Sequence, residues 1–241
     1  MKSPLRLALL ISGGGTTMEK IIQESQCGEL LGKIAPVIVI ASRYGAGGLA
    51  KAKELGIPTS VLAPHSFSSA EHFGNEIISE CRSRGVDLIG QYGWLPKTPG
   101  NVIEAFATRM INQHPGPLDP GRPDFGGNGM YGRRVHAARL YFVRCVQHGF
   151  WTEATAQRVD VEFDKGVVLR KRLVEIHTDD DPTTLQERVL PIEHAVQIET
   201  LADFADGRVG EVVREQPLVN TVEENVLKTA KNVACLLFPH G

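Results

Sequence analysis

The chain has 241 residues, 42% of them hydrophobic, enough for one large α/β domain or a domain with an appendage. Its 26 basic and 28 acidic residues give a formal net charge of −2, which disfavours a protein that holds nucleic acid mainly by electrostatics. The four cysteines, Cys27, Cys81, Cys145 and Cys235, are scattered with no Cys-x-x-Cys pair, a pattern of reduced thiols rather than of a disulfide framework or a zinc site. No apolar run approaches membrane-spanning length, and the N-terminal apolar stretch is too short and too soon followed by glycine for a signal peptide. The expectation is a soluble, cytoplasmic protein.

Leu5 to Ile11 is apolar except for Arg6, the mark of a strand buried on both faces. Ser12-Gly13-Gly14-Gly15-Thr16-Thr17 follows and opens a helix through Met18, Ile21 and Ile22. Ala35 to Ala41 predicts a second buried strand, Gly47 to Leu55 a helix stopped by Gly56, and Thr59 to Leu62 a short strand. Ala70 to Arg84 sets Phe73, Ile77, Ile78 and Cys81 on one helical face and ends at Gly85. Asp87 to Tyr92 and Arg109 to Gln113 read as two more strands around a short helix from Asn101 to Phe106. Strands and helices alternating at these lengths predict an α/β fold with a parallel, helix-covered sheet.

After Gly116 the texture changes. Residues 116 to 132 hold many Gly and Pro and predict a long loop; residues 133 to 149 look helical. Gln157 to Phe163 and Val167 to Ile176 flank Asp164-Lys165-Gly166, a hairpin signal. Pro182 to Phe204 is a long helical pattern with a break expected at Pro191, and Thr221 to Ala234 carries one more helix.

The most informative stretch is Asn112-Gln113-His114-Pro115-Gly116. Residues two apart on an extended segment project to the same side, and Pro115 holds His114 extended. An amide and an imidazole therefore leave a strand end together. The amide can donate to a developing oxyanion and the imidazole can move a proton at neutral pH, which suits attack of an amine on an acyl carbon. The glycine run before Thr16 and Thr17 presents backbone N–H groups and a helix N-terminus, a phosphate cradle more than a simple turn. It is not a P-loop, and Met18 stands where a dinucleotide fingerprint has its third glycine. Ser42-Arg43 keeps a second option open, since that arginine suits the 2′-phosphate of NADP.

Asp164 taken alone reads as a β-turn residue; it becomes a catalytic carboxylate only if the fold carries it to His114. His177-Thr178-Asp179-Asp180-Asp181 reads as a solvated loop ahead of a helix rather than a metal site, and Glu193-His194 lacks the His-Glu-x-x-His spacing of a zinc helix. Trp94 is either core or the wall of a pocket for a flat ring.

In this order the motifs resemble the folate-dependent formyltransferases, over about Leu5 to Val209. The matching segments are Ser12 to Thr17, Asn112 to Pro115, Asp164-Lys165-Gly166, Glu193-His194, and Phe204 to Arg208. The resemblance implies a Rossmann-like, mostly parallel sheet with helices on both faces and a C-terminal antiparallel hairpin. It implies a formyltransferase domain over 1–209, with 116–149 as an extended loop and helix and 210–241 as a C-terminal extension. It further implies formyl transfer from 10-formyltetrahydrofolate, a co-substrate, to the amine of a phosphorylated ribosyl acceptor, without a metal. Asn112 would donate to the oxyanion, and His114, held protonated by Asp164, would assist proton transfer. Gly15, Thr16 and Thr17 would hold phosphate and Glu193 the ribose. Leu95, Pro96, Lys97 and Thr98, with Asp160, Val161 and Asp164, would surround the pterin. The implied partners are small molecules, not nucleic acid or membrane, and a homodimer stays open.

Departures from the family pattern fall on outer contacts: Ala70, Leu190, Thr155-Ala156-Gln157, and a longer stretch between Pro115 and Thr155. They leave in view transfer to another amine such as an aminosugar nucleotide, or an inactive binding homologue, and Ser42-Arg43 leaves an NADP-dependent reductase.

Overall fold

The computed structural model describes residues 3–239 and 241. The chain forms two compact units, Met1–Gln113 with Gln197–Val209, and His114–Val196 with Gly210–Gly241. The chain passes from one to the other three times: inside one strand, inside one helix, and between Val209 and Gly210.

The first unit is built from β1 (Leu5–Ile11), α1 (Thr16–Cys27), β2 (Ile34–Ala41), α2 (Gly48–Glu54), β3 (Thr59–Val61), α3 (Ala70–Ser83), β4 (Leu88–Gln91), α4 (Gly100–Ala105) and β5 (Met110–His114), whose last residue belongs to the second unit. These five strands are parallel in the order β3-β2-β1-β4-β5. Leu7 through Ile11 are all fully buried, as a strand covered on both faces requires. β2 contains Pro36, which has no N–H for the ladder, and the β1–β2 register shifts at that point: Leu7 faces Pro36 but Ala8 faces Ile38. Ser69 caps α3 by accepting from the His72 N–H at 3.0 Å.

The second unit contains α5 (Arg133–Val146), β6 (Trp151–Arg158), β7 (Val168–Glu175), α6 (Pro182–Asp206, of which the residues from Gln197 belong to the first unit) and α7 (Glu224–Leu237). Strands β6 and β7 are antiparallel, from Trp151 opposite Glu175 to Gln157 opposite Val168. With five parallel strands and this final antiparallel pair, the seven strands have the mostly parallel architecture with a C-terminal hairpin that the sequence predicts. Phe125, Val135, Phe142, Val143, Leu185, Val189, Leu227 and Ala230 are among the buried core of this unit. Arg139 is buried there too: it donates to the Trp151 and Gly149 carbonyls at 2.7 Å each, and its guanidinium lies 4.7 Å from the centre of the Trp151 ring.

Two elements differ from the sequence reading. The first hairpin strand lies at Trp151–Arg158, not Gln157–Phe163, so Asp164-Lys165-Gly166 sits within a longer connection than a tight turn. A register shift between Ala156 and Gln157 ends the regular pairing early. Helix α6 runs through Pro191 unbroken. Proline removes one N–H, but Pro191 and Glu187, whose carbonyl loses its partner, are both exposed, so water can satisfy that oxygen. Residues 210–241 hold α7 and belong to the second unit. Among the described residues no helix is long and apolar enough to cross a membrane.

Candidate active site

β5 carries the amide–imidazole pair: Asn112 is half-buried and His114, at the strand's end, is 2% exposed. The structure brings Asp164 to His114, with Nδ1 and Oδ2 3.5 Å apart. That is ion-pair reach, long for a direct hydrogen bond. The carboxylate's shorter bonds fix its position: Gln157 Nε2 donates to Oδ1 at 2.7 Å and the Gly127 N–H donates to Oδ2 at 2.9 Å. Asp164 itself adopts φ 58, the left-handed region that Asp and Asn tolerate better than most residues. Nε2 of His114 is buried without a hydrogen-bond partner among the described residues. An imidazole with a carboxylate on Nδ1 and nothing on Nε2 is set to exchange a proton or donate a hydrogen bond at Nε2.

Gly126 packs directly on Asp164; a Cβ built on it would lie 2.6 Å from that residue's Cβ. Gln157, Gly126 and Gly127 were not singled out for the site by the sequence reading, although Gln157 stands where the family pattern carries a histidine. The Phe125-Gly126-Gly127 run was the available signal for the other two, but it looked like ordinary loop.

His136 of α5 is another buried group in this unit. It is fully buried, and neither ring nitrogen has a hydrogen-bond partner among the described residues. Burial, and secondarily the nearby His114 charge, push its pKa down to about 3. It is therefore neutral at physiological pH.

The glycine loop lies in the first unit. Gly15 has φ 64 and precedes α1. Gly13 and Gly14 have open space where a side chain would stand, so a ligand can approach their backbone. Thr16 is exposed and Thr17 is buried. The Gly48 N–H donates to the Gly13 carbonyl at 3.1 Å and ties α2 to the loop. Ser42 Oγ donates to Ser12 Oγ and Arg43 Nε donates to the Ser12 carbonyl, each at 2.6 Å. Both side chains thus fasten the loop. In the same unit Leu95 and Lys97 are exposed and Pro96 half-buried, while Thr98 is buried and accepts from Gln91 Nε2 at 2.6 Å. Trp94 is 7% exposed and stacks on Phe73 with ring centres 6.2 Å apart, which makes it core.

In the second unit Asp160 and Val161 are exposed, Asp160 accepting from the Glu162 N–H at 3.1 Å, and Glu193 is buried within α6. The acidic run before α6 serves that helix. Asp181 Oδ1 accepts the Thr183 and Thr184 N–H groups at 2.7 and 2.9 Å. Burial works to raise the Asp180 carboxyl pKa, but bonds from Arg188, the His177 N–H and Thr184 outweigh it and hold it below the usual range. No group of three or more metal-ligating side chains is assembled among the described residues.

A parallel sheet ending in a hairpin, with an Asn-x-His strand end and an aspartate brought to that histidine, defines a class, and the chain belongs to it: the sequence model of the formyl transferase family matches residues 5–201. The chain is 30% identical over 205 residues to the chloroplastic phosphoribosylglycinamide formyltransferase of Arabidopsis thaliana, covering 85% of this chain and 66% of that one. It is 28% identical over 204 residues to the phosphoribosylglycinamide formyltransferase of Haemophilus influenzae, covering 85% of this chain and 89% of that one. Its fold superposes on the phosphoribosylglycinamide formyltransferase structure from Coxiella burnetii with a TM-score of 0.74 at 28% identity, covering 89% and 92% of the two chains.

Proposed function

We propose that this chain transfers the formyl group of 10-formyltetrahydrofolate to the amine of glycinamide ribonucleotide, a step of de novo purine synthesis in the cytoplasm. The observation that carries the reading is the buried His114 with Asp164 3.5 Å from Nδ1 and no partner on Nε2. That orphaned nitrogen fits a reacting acyl group, because a buried polar atom left unpaired is costly unless a ligand uses it.

In this reading the Asn112 amide donates to the oxygen on which charge gathers as the amine adds to the formyl carbon. His114 Nε2 donates to the same centre and passes a proton to the departing folate nitrogen. Asp164 stabilises the imidazolium and fixes the ring's orientation. Gly15, Thr16 and Thr17 hold the acceptor's phosphate at the N-terminus of α1, and Glu193 accepts from its ribose. Leu95 to Thr98, with Asp160 and Val161, supply the backbone around the pterin. No step calls for a metal. Against the NADP alternative, Ser42 Oγ and one of the Arg43 donors, Nε, are already engaged by Ser12.

The test is an assay with glycinamide ribonucleotide and 10-formyltetrahydrofolate, following the folate product by absorbance. Asn112→Ala and His114→Ala are each expected to lower turnover by about a hundredfold to a thousandfold with the circular dichroism spectrum unchanged. Near-normal rates in both variants would remove the site assignment. Turnover confined to a different amine would move the function within the family.

A further inference from the structure

The family match ends at residue 201, yet the segment 210–241 is bonded repeatedly to the glycine-rich loop at 116–132. Arg214 Nε donates to the Leu118 carbonyl at 2.7 Å, and the Leu218 N–H donates to Asp119 Oδ2 at 3.1 Å. Arg122 Nη2 donates to the Arg214 carbonyl at 2.8 Å, and just past the loop, at the start of α5, Arg134 Nε donates to the Phe238 carbonyl at 2.7 Å. A further bond comes from α7: Lys231 Nζ donates to the Gly126 carbonyl at 2.7 Å. One residue further, the Gly127 N–H donates to Asp164 Oδ2, and Gly126 itself packs against Asp164.

We propose that α7 is a strut of the catalytic centre, in which Lys231 is a positioning residue that acts through Gly126 and Gly127 to hold Asp164 against His114. The inference rests on the roles assigned above to that pair. A peptide unit fixed at its carbonyl by an ammonium has little freedom to rotate, and the next N–H is the one that Asp164 accepts. Buried Asp124 makes the anchor two-sided. It accepts the Asp119 and Gly126 N–H groups at 3.1 Å each and lies 3.5 Å from Lys165 Nζ, so the loop is fixed from both ends. Lys231 is half-buried, which lowers its pKa; Asp124 and, less, Asp164 oppose that effect, while the Lys165 charge adds to it. Both carboxylates favour its charged form.

The experiment compares Lys231→Met, which keeps the stem and removes the ammonium, with Lys231→Arg and with Lys228→Met on the exposed side of α7. Two readouts are taken. Amide hydrogen exchange at Gly127 is expected to accelerate about tenfold or more in Lys231→Met, the loss of one charge-assisted bond. Formyl-transfer kcat is expected to fall by roughly tenfold to a hundredfold with both KM values within about twofold, as for a misplaced catalytic group. Lys231→Arg should recover most of both, and Lys228→Met should alter neither. Wild-type exchange at Gly127 in Lys231→Met overturns the proposal. So does a kcat loss that Lys231→Arg shares in full and that tracks a falling melting temperature, since α7 would then only stabilise the fold. If the wild type fails to turn over the two substrates, the proposed reaction falls, while the exchange data still decide whether Lys231 holds the loop.

Discussion

Asp164 joins an unusual backbone conformation to a carboxylate that engages Gln157, the Gly127 N–H and His114. Asparagine accepts the same φ and the same approximate shape, and Gln157 can turn its amide to accept from the new NH2 while the Asn oxygen keeps the Gly127 N–H, so Asp164→Asn separates charge from architecture. It is expected to leave the melting temperature near that of the wild type and to lower kcat by about a hundredfold or more, because the imidazolium loses its counter-charge. A kcat within a few fold of wild type, measured by the same absorbance assay, would make the carboxylate a loop anchor only. His136 gives a pH prediction. Its folded-state pKa is depressed to about 3, whereas the unfolded side chain titrates near 6.5. The unfolded chain then binds a proton that the folded chain refuses. Stability is full above the unfolded value and falls as pH drops through that window, levelling only near the folded value. Denaturant titrations of wild type and His136→Leu between those limits are expected to differ in slope by about one proton; parallel curves would mean that His136 finds a partner on protonation.

Among the elements, the glycine loop and α1 were legible because their signal is local: a buried apolar run, glycines, then an amphipathic pattern. Gly15 at φ 64 is the position that needs glycine. An added Cβ would meet the Gly48 Cα at 3.0 Å and the flexible Met18 Cε at 2.7 Å. Gly15→Ala is expected to cost roughly 1 kcal/mol or more of stability and to raise KM for the phosphorylated acceptor while leaving the folate KM unchanged. An unchanged acceptor KM would detach the loop from phosphate binding. The hairpin was less legible. Asp164-Lys165-Gly166 imitates a tight turn, but the end of β6 is set by the register shift at Gln157, and the place of Asp164 by Gly127, far away in sequence. Neither constraint leaves a mark in local spacing. Pro191 misled for the converse reason: its local signal predicts a break, and exposure of Glu187 and Pro191 removes the need for one.

For the whole molecule, burial sorts the thiols. Cys27 and Cys145 are exposed, whereas Cys81 is fully buried with its thiol pushed up to about 12 by desolvation and, less, by Glu80. A thiol reagent at neutral pH is expected to modify Cys27 and Cys145 quickly and Cys81 only after denaturant is added; peptide mapping reads the order, and early labelling of Cys81 would contradict the packing of α3. The two compact units also divide the chain's two tryptophans, Trp94 falling in the first and Trp151 in the second. One ring lies parallel to a phenylalanine and the other beneath a guanidinium, so the two indoles have different surroundings. Each half of the polypeptide therefore carries its own lamp, and a pair of single-indole proteins would reveal by colour and brightness whether the halves melt together or in turn.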